Sequence, residues 1–313
     1  MNFIYFDILL LTIIKYKGKI IIPTEHTLIE QFRKFYIEQT PLRIEDAIEK
    51  FALFGGVAWE KMDLSLDSMA LVEKYMLPDF SYIRNDINDL TTGLPLHHSI
   101  LTGVAQGDGR PHTAFKRANV SAEVGTKAIE ELKESGVIRV IKPVAFGDTW
   151  KNRDGISNKL LFASPFLRFW FAFVSPIFKG IRDGDYSEIR TLFANREQEF
   201  LQLTFVQLSH ELLKRSFGED PIERIQSYWD ENIEIDIFAK TASGKVILGV
   251  CKYTNSKLKK SELKRLQDFA FMLGIDVDIF VLVSKSGFSS ELKALKGENL
   301  RLLSIKNFKK LVE

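Results

Sequence analysis

The sequence lacks the cysteine pairs of disulfide-bonded secreted proteins and the charge excess of strongly basic or acidic ones. It contains a single cysteine, Cys251, so an internal disulfide is impossible and a reducing, cytoplasmic location is expected. The 43 lysines and arginines against 41 acidic residues give a net charge of +2, which excludes a polycation but permits a local basic patch. With 45% hydrophobic residues the chain cannot be globally disordered.

Long apolar runs and familiar enzyme motifs are also lacking. The apolar segment 3–14 is shorter than the roughly 20 residues of a spanning helix, so no integral membrane segment is expected; a core element, a peripheral membrane contact and the remnant of an upstream domain remain alternatives. There is no phosphate-binding Gly-x-x-x-x-Gly-Lys-Ser/Thr loop and no Gly-x-Ser-x-Gly elbow. The five histidines lack zinc-ligand spacing with Cys251, so no zinc site is indicated. No cofactor is certain from the sequence.

The patterning predicts a multi-domain α/β protein. After an apolar N-terminal segment, 1–23, a helical region covers 24–90, with helices predicted from the capping box at Thr27 to Ile37, over 43–54, and over 65–77. Residues 163–194 form an aromatic helical connector, in which prolines 165 and 176 bracket a helix expected to be buried between domains. Residues 195–313 alternate helices and strands, which indicates an α/β domain with a mixed sheet.

Residues 91–162 have the pattern of a winged helix-turn-helix, namely three short helices followed by a hairpin. The helices are expected at 96–104, 111–118 and 122–135, and the strands at 137–144 and 159–162. The third helix has a buried stripe predicted at Val124, Ala128, Ile129 and Leu132.

Two neighbouring strands carry the residues with the clearest chemical potential. Alternation places Glu234 and Asp236 on one face of the strand 233–239, and a hairpin brings Lys252 of the next strand toward Asp236. Paired acids hold Mg²⁺ or Mn²⁺ in phosphodiester cleavage, while a lysine orients the nucleophile. Asp236, Lys252 and Glu234 are therefore the candidate catalytic residues, with Asp236 the candidate metal ligand.

Six sequence pieces together resemble the C-terminal portion of the archaeal and bacterial AAA-type ATPases called DEXX-box ATPases. They are Phe54-Gly55-Gly56-Val57, Glu73-Lys74-Tyr75 with Asp79-Phe80, 132–138, 166–171, Trp229-Asp230 with Glu234-Ile235-Asp236, and 284–288. Each is weak alone, but they occur in order over about 45–310. The resemblance implies a lid-like helical region, a winged helix and a domain of unknown function with a PD-(D/E)XK nuclease-like fold.

The chain departs from that family in ways that bear on activity. The ATPase core is missing. The family's Glu-Cys-Lys corresponds to Val250-Cys251-Lys252, and its Phe-Glu on the preceding helix corresponds to Phe205-Val206. A valine offers no oxygen to a hard cation, so the nuclease-like site is expected to be vestigial or weak unless a displaced carboxylate, such as Glu199 or Glu211, replaces one.

Basic residues in two segments suit contacts with DNA phosphates. Residues 252–265 carry a net charge of +5, and the candidates there are Lys257, Lys259, Lys260, Lys264 and Arg265. In the winged helix the third helix is net acidic, so the candidates lie on the second helix and the wing: Lys116, Arg117, Arg139 and Lys142. An ordinary solvated surface is the alternative for both segments.

Three functions follow from these observations. The leading hypothesis is a protein that binds double-stranded DNA through a degenerate, inactive nuclease-like domain. The second is an active Mg²⁺- or Mn²⁺-dependent nuclease. The third is an interaction partner of a separate ATPase, contacted through 24–90 and the aromatic helix. The oligomeric state and the DNA sequence preference are not indicated.

Overall fold

The computed structural model describes residues 27–144 and 156–313, so the predictions for 1–23 and for most of the wing loop lie outside the described residues. The protein is mixed α/β and divides into two compact units. The first is built from the residues up to Thr40, Lys50–Val140 and Lys159–Ala194. The second is built from Pro41–Glu49, Asn195–Glu313 and the residues between Ile141 and Asn158.

The first unit is mainly helical. Its elements are α1 (Leu28–Gln39), α2 (Ile44–Phe54, which begins in the second unit), α3 (Ser68–Leu71), α4 (Phe80–Leu90), α5 (Pro95–Gln106), α6 (Pro111–Ala118), α7 (Ala122–Glu134), β1 (Ile138–Ile141), β2 (Lys159–Phe162), α8 (Pro165–Phe169) and α9 (Phe178–Arg182). The capping box predicted at Thr27 is present, because Thr27 accepts the Glu30 N–H and Glu30 accepts the Thr27 N–H. The strands β1 and β2 form a two-stranded sheet.

Two predicted helices change their winding ahead of a proline. After α3 the chain makes a π-helical turn, Val72–Met76, and after α8 another, Trp170–Val174; each leads into a 3-10 turn with proline at its second position. Proline lacks an N–H and clashes with the carbonyl four residues back, so a wider turn relieves the conflict. At Pro176 that carbonyl belongs to Ala172, and the Gln106 side chain donates to it at 3.1 Å.

The aromatic helix of the connector is buried within the first unit, whereas burial between domains was expected from the sequence. Trp170 stacks on Phe80 with ring centroids 5.5 Å apart, and Phe173 meets Phe193 edge-on at 5.2 Å. The buried stripe predicted on α7 is wrong at one position, because Val124 is 46% exposed. The inward-facing residue is instead Gly125, which leaves room for the ring of Phe115.

The second unit carries a mixed five-stranded sheet. Its first helix is α10 (Ser187–Ser216), of which the part from Asn195 onward belongs to this unit. The elements that follow are β3 (Ile222–Trp229), β4 (Glu234–Thr241), β5 (Val246–Lys252), α11 (Lys260–Leu273), β6 (Ile279–Ser284), α12 (Ser290–Ala294), β7 (Leu300–Ser304) and a 3-10 helix (Ile305–Leu311). The strand order is β3-β4-β5-β6-β7. The pairs β3–β4 and β4–β5 are antiparallel, whereas β5–β6 and β6–β7 are parallel.

Apolar residues cover both faces of this sheet. On one side, Leu263 and Leu266 of α11 belong to the same buried cluster as Leu248 of β5. Phe205 of α10 stacks on Phe308 of the closing 3-10 helix with centroids 5.0 Å apart, and its ring also lies 5.3 Å from that of Tyr253, just past β5. The strands are therefore fixed from both helical sides, which holds the strand ends in place.

Among the described residues, no helix has the length and apolar character needed to cross a lipid bilayer.

Candidate functional site

The ends of β4 and β5 open onto a cavity of about 560 Å³ in the second unit. The antiparallel pairing of the two strands runs from Lys240 opposite Val246 to Ile237 opposite Gly249, so Asp236 and Val250 lie beyond this ladder. The polar lining comes from α10 (Asn195, Gln198, Glu199 and Gln202), from the strand ends (Glu234, Asp236 and Lys252), from Thr254, and from Arg265 of α11. The structure thus places all three candidate catalytic residues at one cavity.

Asp236 is half-buried and held by three elements. Its backbone carbonyl accepts a hydrogen bond from Nε2 of His210 at 2.7 Å, from α10, and another from the hydroxyl of Ser227 at 2.9 Å, from β3. Its carboxylate oxygen Oδ2 accepts the N–H of Cys251 at 2.8 Å, from β5. The side chain of Asp236 therefore takes the place of a backbone carbonyl of β4 as the acceptor for the Cys251 N–H, where the pairing of β4 and β5 ends.

Burial controls the protonation of this acid and of the histidine behind it. Burial raises the pKa of Asp236 from 3.8 to about 6, although the Cys251 N–H and the charge of Lys252 act in the opposite direction. Burial lowers the pKa of His210, so its imidazole is neutral near pH 7 and donates through Nε2. Asp236 consequently titrates near pH 6. Above that pH its carboxylate can accept a proton as a general base or act as a weak ligand to a metal ion.

The backbone on both sides of Lys252 is fixed by side chains. Gln202 donates through Nε2 to the Cys251 carbonyl at 2.8 Å and accepts the Tyr253 N–H through Oε1, also at 2.8 Å. The carbonyl of Lys252 accepts the N–H of Lys285 at 3.0 Å. Gln202 was not identified from the sequence, where a single polar residue on a helix carries no signal.

The carboxylates around the cavity are few and dispersed. Glu199 lines it, is exposed, and lies 3.6 Å from the guanidinium of Arg196. Glu211 lies elsewhere and pairs with Lys214 at 2.8 Å. Val250 lines the cavity and is 4% exposed. Within 27–144 and 156–313, no group of three or more histidine, cysteine or acidic residues is arranged to hold a metal ion. The residues present do not fit a Mg²⁺ or Mn²⁺ centre of the usual oxygen-rich kind.

The basic segment of the second unit is solvent-exposed beside this cavity. Lys257, Lys259, Lys260 and Lys264 are all exposed. Lys259 is the N-cap of α11 and makes no side-chain cap, and its carbonyl accepts the N–H of Glu262 at 3.1 Å, so the positive end of the helix dipole lies at this basic segment. Arg265, by contrast, pairs with Glu262 at 2.9 Å and lies over the ring of Phe269, and it lines the cavity.

The candidate DNA contacts of 91–162 are also exposed, but they fall in different units. Lys116 and Arg117 end α6 and Arg139 lies on β1, all in the first unit, whereas Lys142 belongs to the second. Arg117 donates to the carbonyl of Gln106 at 2.7 Å, which ties its guanidinium to the end of α5.

The acidic helix α7 is engaged within the first unit. Glu131 accepts from the buried His97 at 2.9 Å, and Glu130 pairs with Lys133 at 2.8 Å. Acidic side chains of α7 therefore have partners within the protein. The helix itself is net acidic, as expected from its sequence.

Comparison with known proteins gives two matches. The family DUF234, described as archaeal and bacterial proteins of unknown function, matches residues 170–266. No curated protein matches the chain. A solved assembly of Thermococcus gammatolerans McrB AAA+ hexamers with bound McrC is similar at 12% identity and a TM-score of 0.23, over 69% of this chain; the chain spans about half (51%) of that chain's length. The stretch that contains Asp236 and Lys252 is therefore similar to a family of archaeal and bacterial proteins of unknown function.

Proposed function

We propose that this protein binds double-stranded DNA through its second unit, a PD-(D/E)XK nuclease-like domain whose catalytic site is depleted. The observation that carries the proposal is the cavity shared by Asp236 and Lys252, which lies beside the exposed basic start of α11. Val250 also lines this cavity, and a valine offers no oxygen to a metal ion where the family that the chain resembles has a glutamate.

The distribution of charge supports binding to a phosphate backbone. Lys257, Lys259 and Lys260 precede or begin α11, and Lys264 lies one turn along it, so the lysines project from one end of a helix. The helix dipole adds positive character at the same end. Contacts of this kind position a duplex without reading its sequence, so weak sequence preference is expected.

We further propose that α5–α7 with β1 and β2 form a winged helix-turn-helix. The order of three helices followed by a two-stranded sheet supports this. Because α7 carries Glu123, Glu130, Glu131 and Glu134, DNA contact is expected through α6 and the strands, at Lys116, Arg117, Arg139 and Lys142, without insertion of α7 into the major groove.

Charge reversal in α11 tests DNA binding. The triple variant with Lys259, Lys260 and Lys264 changed to Glu removes three phosphate contacts, so the slope of log affinity against log salt becomes less steep by about 3. Duplex affinity is measured by fluorescence anisotropy at several salt concentrations between about 50 and 200 mM. Over this range, affinity that depends on phosphate contacts falls steeply.

The matched control changes Lys306, Lys309 and Lys310 to Glu, three exposed lysines at the end of the same unit. Both triple variants have the same net charge. Equal loss of affinity in the two would show that only the overall charge matters, and unchanged affinity in the α11 variant would reject the proposed surface.

A second candidate function, metal-dependent DNA cleavage, requires a displaced carboxylate, because the described residues of the cavity do not form a metal centre of the usual oxygen-rich kind. Glu199 of α10 lines the cavity with Asp236 and Lys252, so a displaced carboxylate is available. If this function is correct, Mg²⁺ or Mn²⁺ supports nicking of supercoiled DNA by the wild type, and Asp236→Ala and Glu199→Gln each abolish it, whereas Glu211→Gln does not. Equal background in the wild type and Asp236→Ala eliminates an enzyme that uses this site.

The proposed partnership with a separate ATPase, and a cytoplasmic location, stay predictions. For the partnership, the surface is residues 24–90, because the aromatic segment Trp170–Val174, also expected to contact the ATPase, is buried within the first unit. Co-purification of an ATPase with the tagged chain tests it, and its dependence on the first unit tests the surface.

A further inference from the structure

The end of β5 is held by side chains where a neighbouring strand would normally pair. The Cys251 N–H is bound by the carboxylate of Asp236, and the Cys251 carbonyl by the amide of Gln202. Gln202 also accepts the Tyr253 N–H, so one side chain bridges the two peptide groups on either side of Lys252. A carboxamide with one donor and one acceptor satisfies both at once, as a strand would.

Both residues that make these bonds face the cavity from different elements. Gln202 is on α10, three residues after Glu199, and residues at this spacing share a helix face. Asp236 is on β4, and Lys252 is the last residue of β5. Gln202 thus ties the helix that carries Glu199 to the strand that carries Lys252, and all four side chains line one cavity.

The energetics favour a specific clamp over an incidental contact. Gln202 is half-buried, and Cys251 and Tyr253 are 0% and 2% exposed, so water is poorly placed to replace the lost bonds. Buried backbone groups without partners are costly, so the chain would shift to satisfy them. Any such shift moves Lys252, which lies between the two bridged peptides.

We propose that Gln202 is a positioning residue that fixes Lys252 relative to Asp236 and Glu199 across the cavity. It acts through the backbone of residues 251–253 and need not touch a substrate. Its consequence for DNA rests on the proposed function, since it assumes that Lys252 contacts a phosphate.

The substitution Gln202→Leu tests this clamp, with Gln198→Leu as its control. Gln198 lines the same cavity from one turn earlier on α10. In Gln202→Leu the Tyr253 amide is expected to exchange with deuterium at least about tenfold faster, because its acceptor is gone, whereas Gln198→Leu leaves that exchange unchanged. Unchanged exchange in Gln202→Leu would overturn the clamp.

The position of Lys252 is read by lysine NMR without DNA. After reductive ¹³C-methylation, the Lys252 signal is assigned through Lys252→Arg. It is expected to move toward the signals of exposed lysines in Gln202→Leu and to stay in place in Gln198→Leu. An unmoved signal in Gln202→Leu would overturn the positioning role. If Gln202→Leu does not fold, Gln202→Glu serves, because its carboxylate still accepts from Tyr253 but cannot donate to Cys251 when ionised.

A double-mutant cycle on duplex affinity separates positioning from general damage. Gln202→Leu is expected to weaken binding about fivefold when Lys252 is present and to have no further effect in Lys252→Met. Equal weakening in both backgrounds would show that Gln202 acts by some route other than Lys252. If the wild type does not bind DNA at all, the proposed function fails while the NMR result still decides the role of Gln202.

Discussion

The carboxyl group of Asp236 should destabilise the protein at neutral and alkaline pH. Its pKa is raised by burial from 3.8 to about 6, and each pKa unit corresponds to about 1.4 kcal/mol, so the ionised form costs up to about 3 kcal/mol. Between these two values the folded state binds more protons than the unfolded state. The free energy of unfolding therefore falls as pH rises through this window, and the penalty is complete above it.

The substitution Asp236→Asn removes this penalty and keeps the acceptor for the Cys251 N–H. Near pH 4 the variant and the wild type are expected to have similar stability. At pH 8 the variant is expected to be more stable, by up to about 3 kcal/mol. Asp236→Ala, which leaves the Cys251 N–H without its acceptor, is expected to be less stable than Asp236→Asn by about 1–3 kcal/mol at either pH.

The assay is urea-induced unfolding at several pH values, with Asp278→Asn as the control. Asp278 also accepts a strand N–H, that of Val246 at 2.8 Å, but it is exposed. Its substitution is expected to change stability by less than about 0.5 kcal/mol, and equally at both pH values. An Asp236→Asn variant that gains nothing at pH 8 would refute the view of Asp236 as a carboxylate held at a cost.

Two further predictions concern the first unit. A Cβ at Gly125 would lie 2.3 Å from the Phe115 ring, so Gly125→Ala is expected to cost about 1–3 kcal/mol where a helical glycine normally gains from alanine; Gly218→Ala, with open space around it, serves as the control in thermal unfolding. Loss of the capping box in Thr27→Ala is expected to cost about 1 kcal/mol, and an unchanged melting temperature would show that this cap, shared with Glu30, contributes nothing.

Local sequence signals were sufficient to predict many elements. Alternation predicted β4 to within two residues at each end, and α6 and β2 have the predicted bounds. The end of α11 at Gly274, which adopts a left-handed conformation, is an ordinary helix-ending signal. These features depend on neighbours in the chain, so a single sequence reveals them.

Features set by tertiary packing were not predicted. The periodicity of α7 favours Val124 as a core residue, but the helix is rotated so that Gly125 meets Phe115. The π-helical turns before Pro78 and Pro176 are likewise invisible to a pattern that assumes 3.6 residues per turn.

The candidate site divides in the same way. The approach of Asp236 and Lys252 was predicted because it depends on two strands close in sequence. The contribution of Gln202 depends on how α10 docks against β5, about 50 residues away, as shown by its bond to Cys251 with a sequence separation of 49. Helix-to-sheet docking leaves no local trace, and Glu199 could be distinguished from Glu211 only once that docking was known.

Mapping of a short duplex on the protein by amide chemical shifts tests the central claim most directly. We predict that the largest changes fall in residues 252–265 and at the cavity residues of α10, and that they diminish as salt is raised. Changes confined to other parts of the chain, or none at low salt, would contradict DNA binding by the second unit.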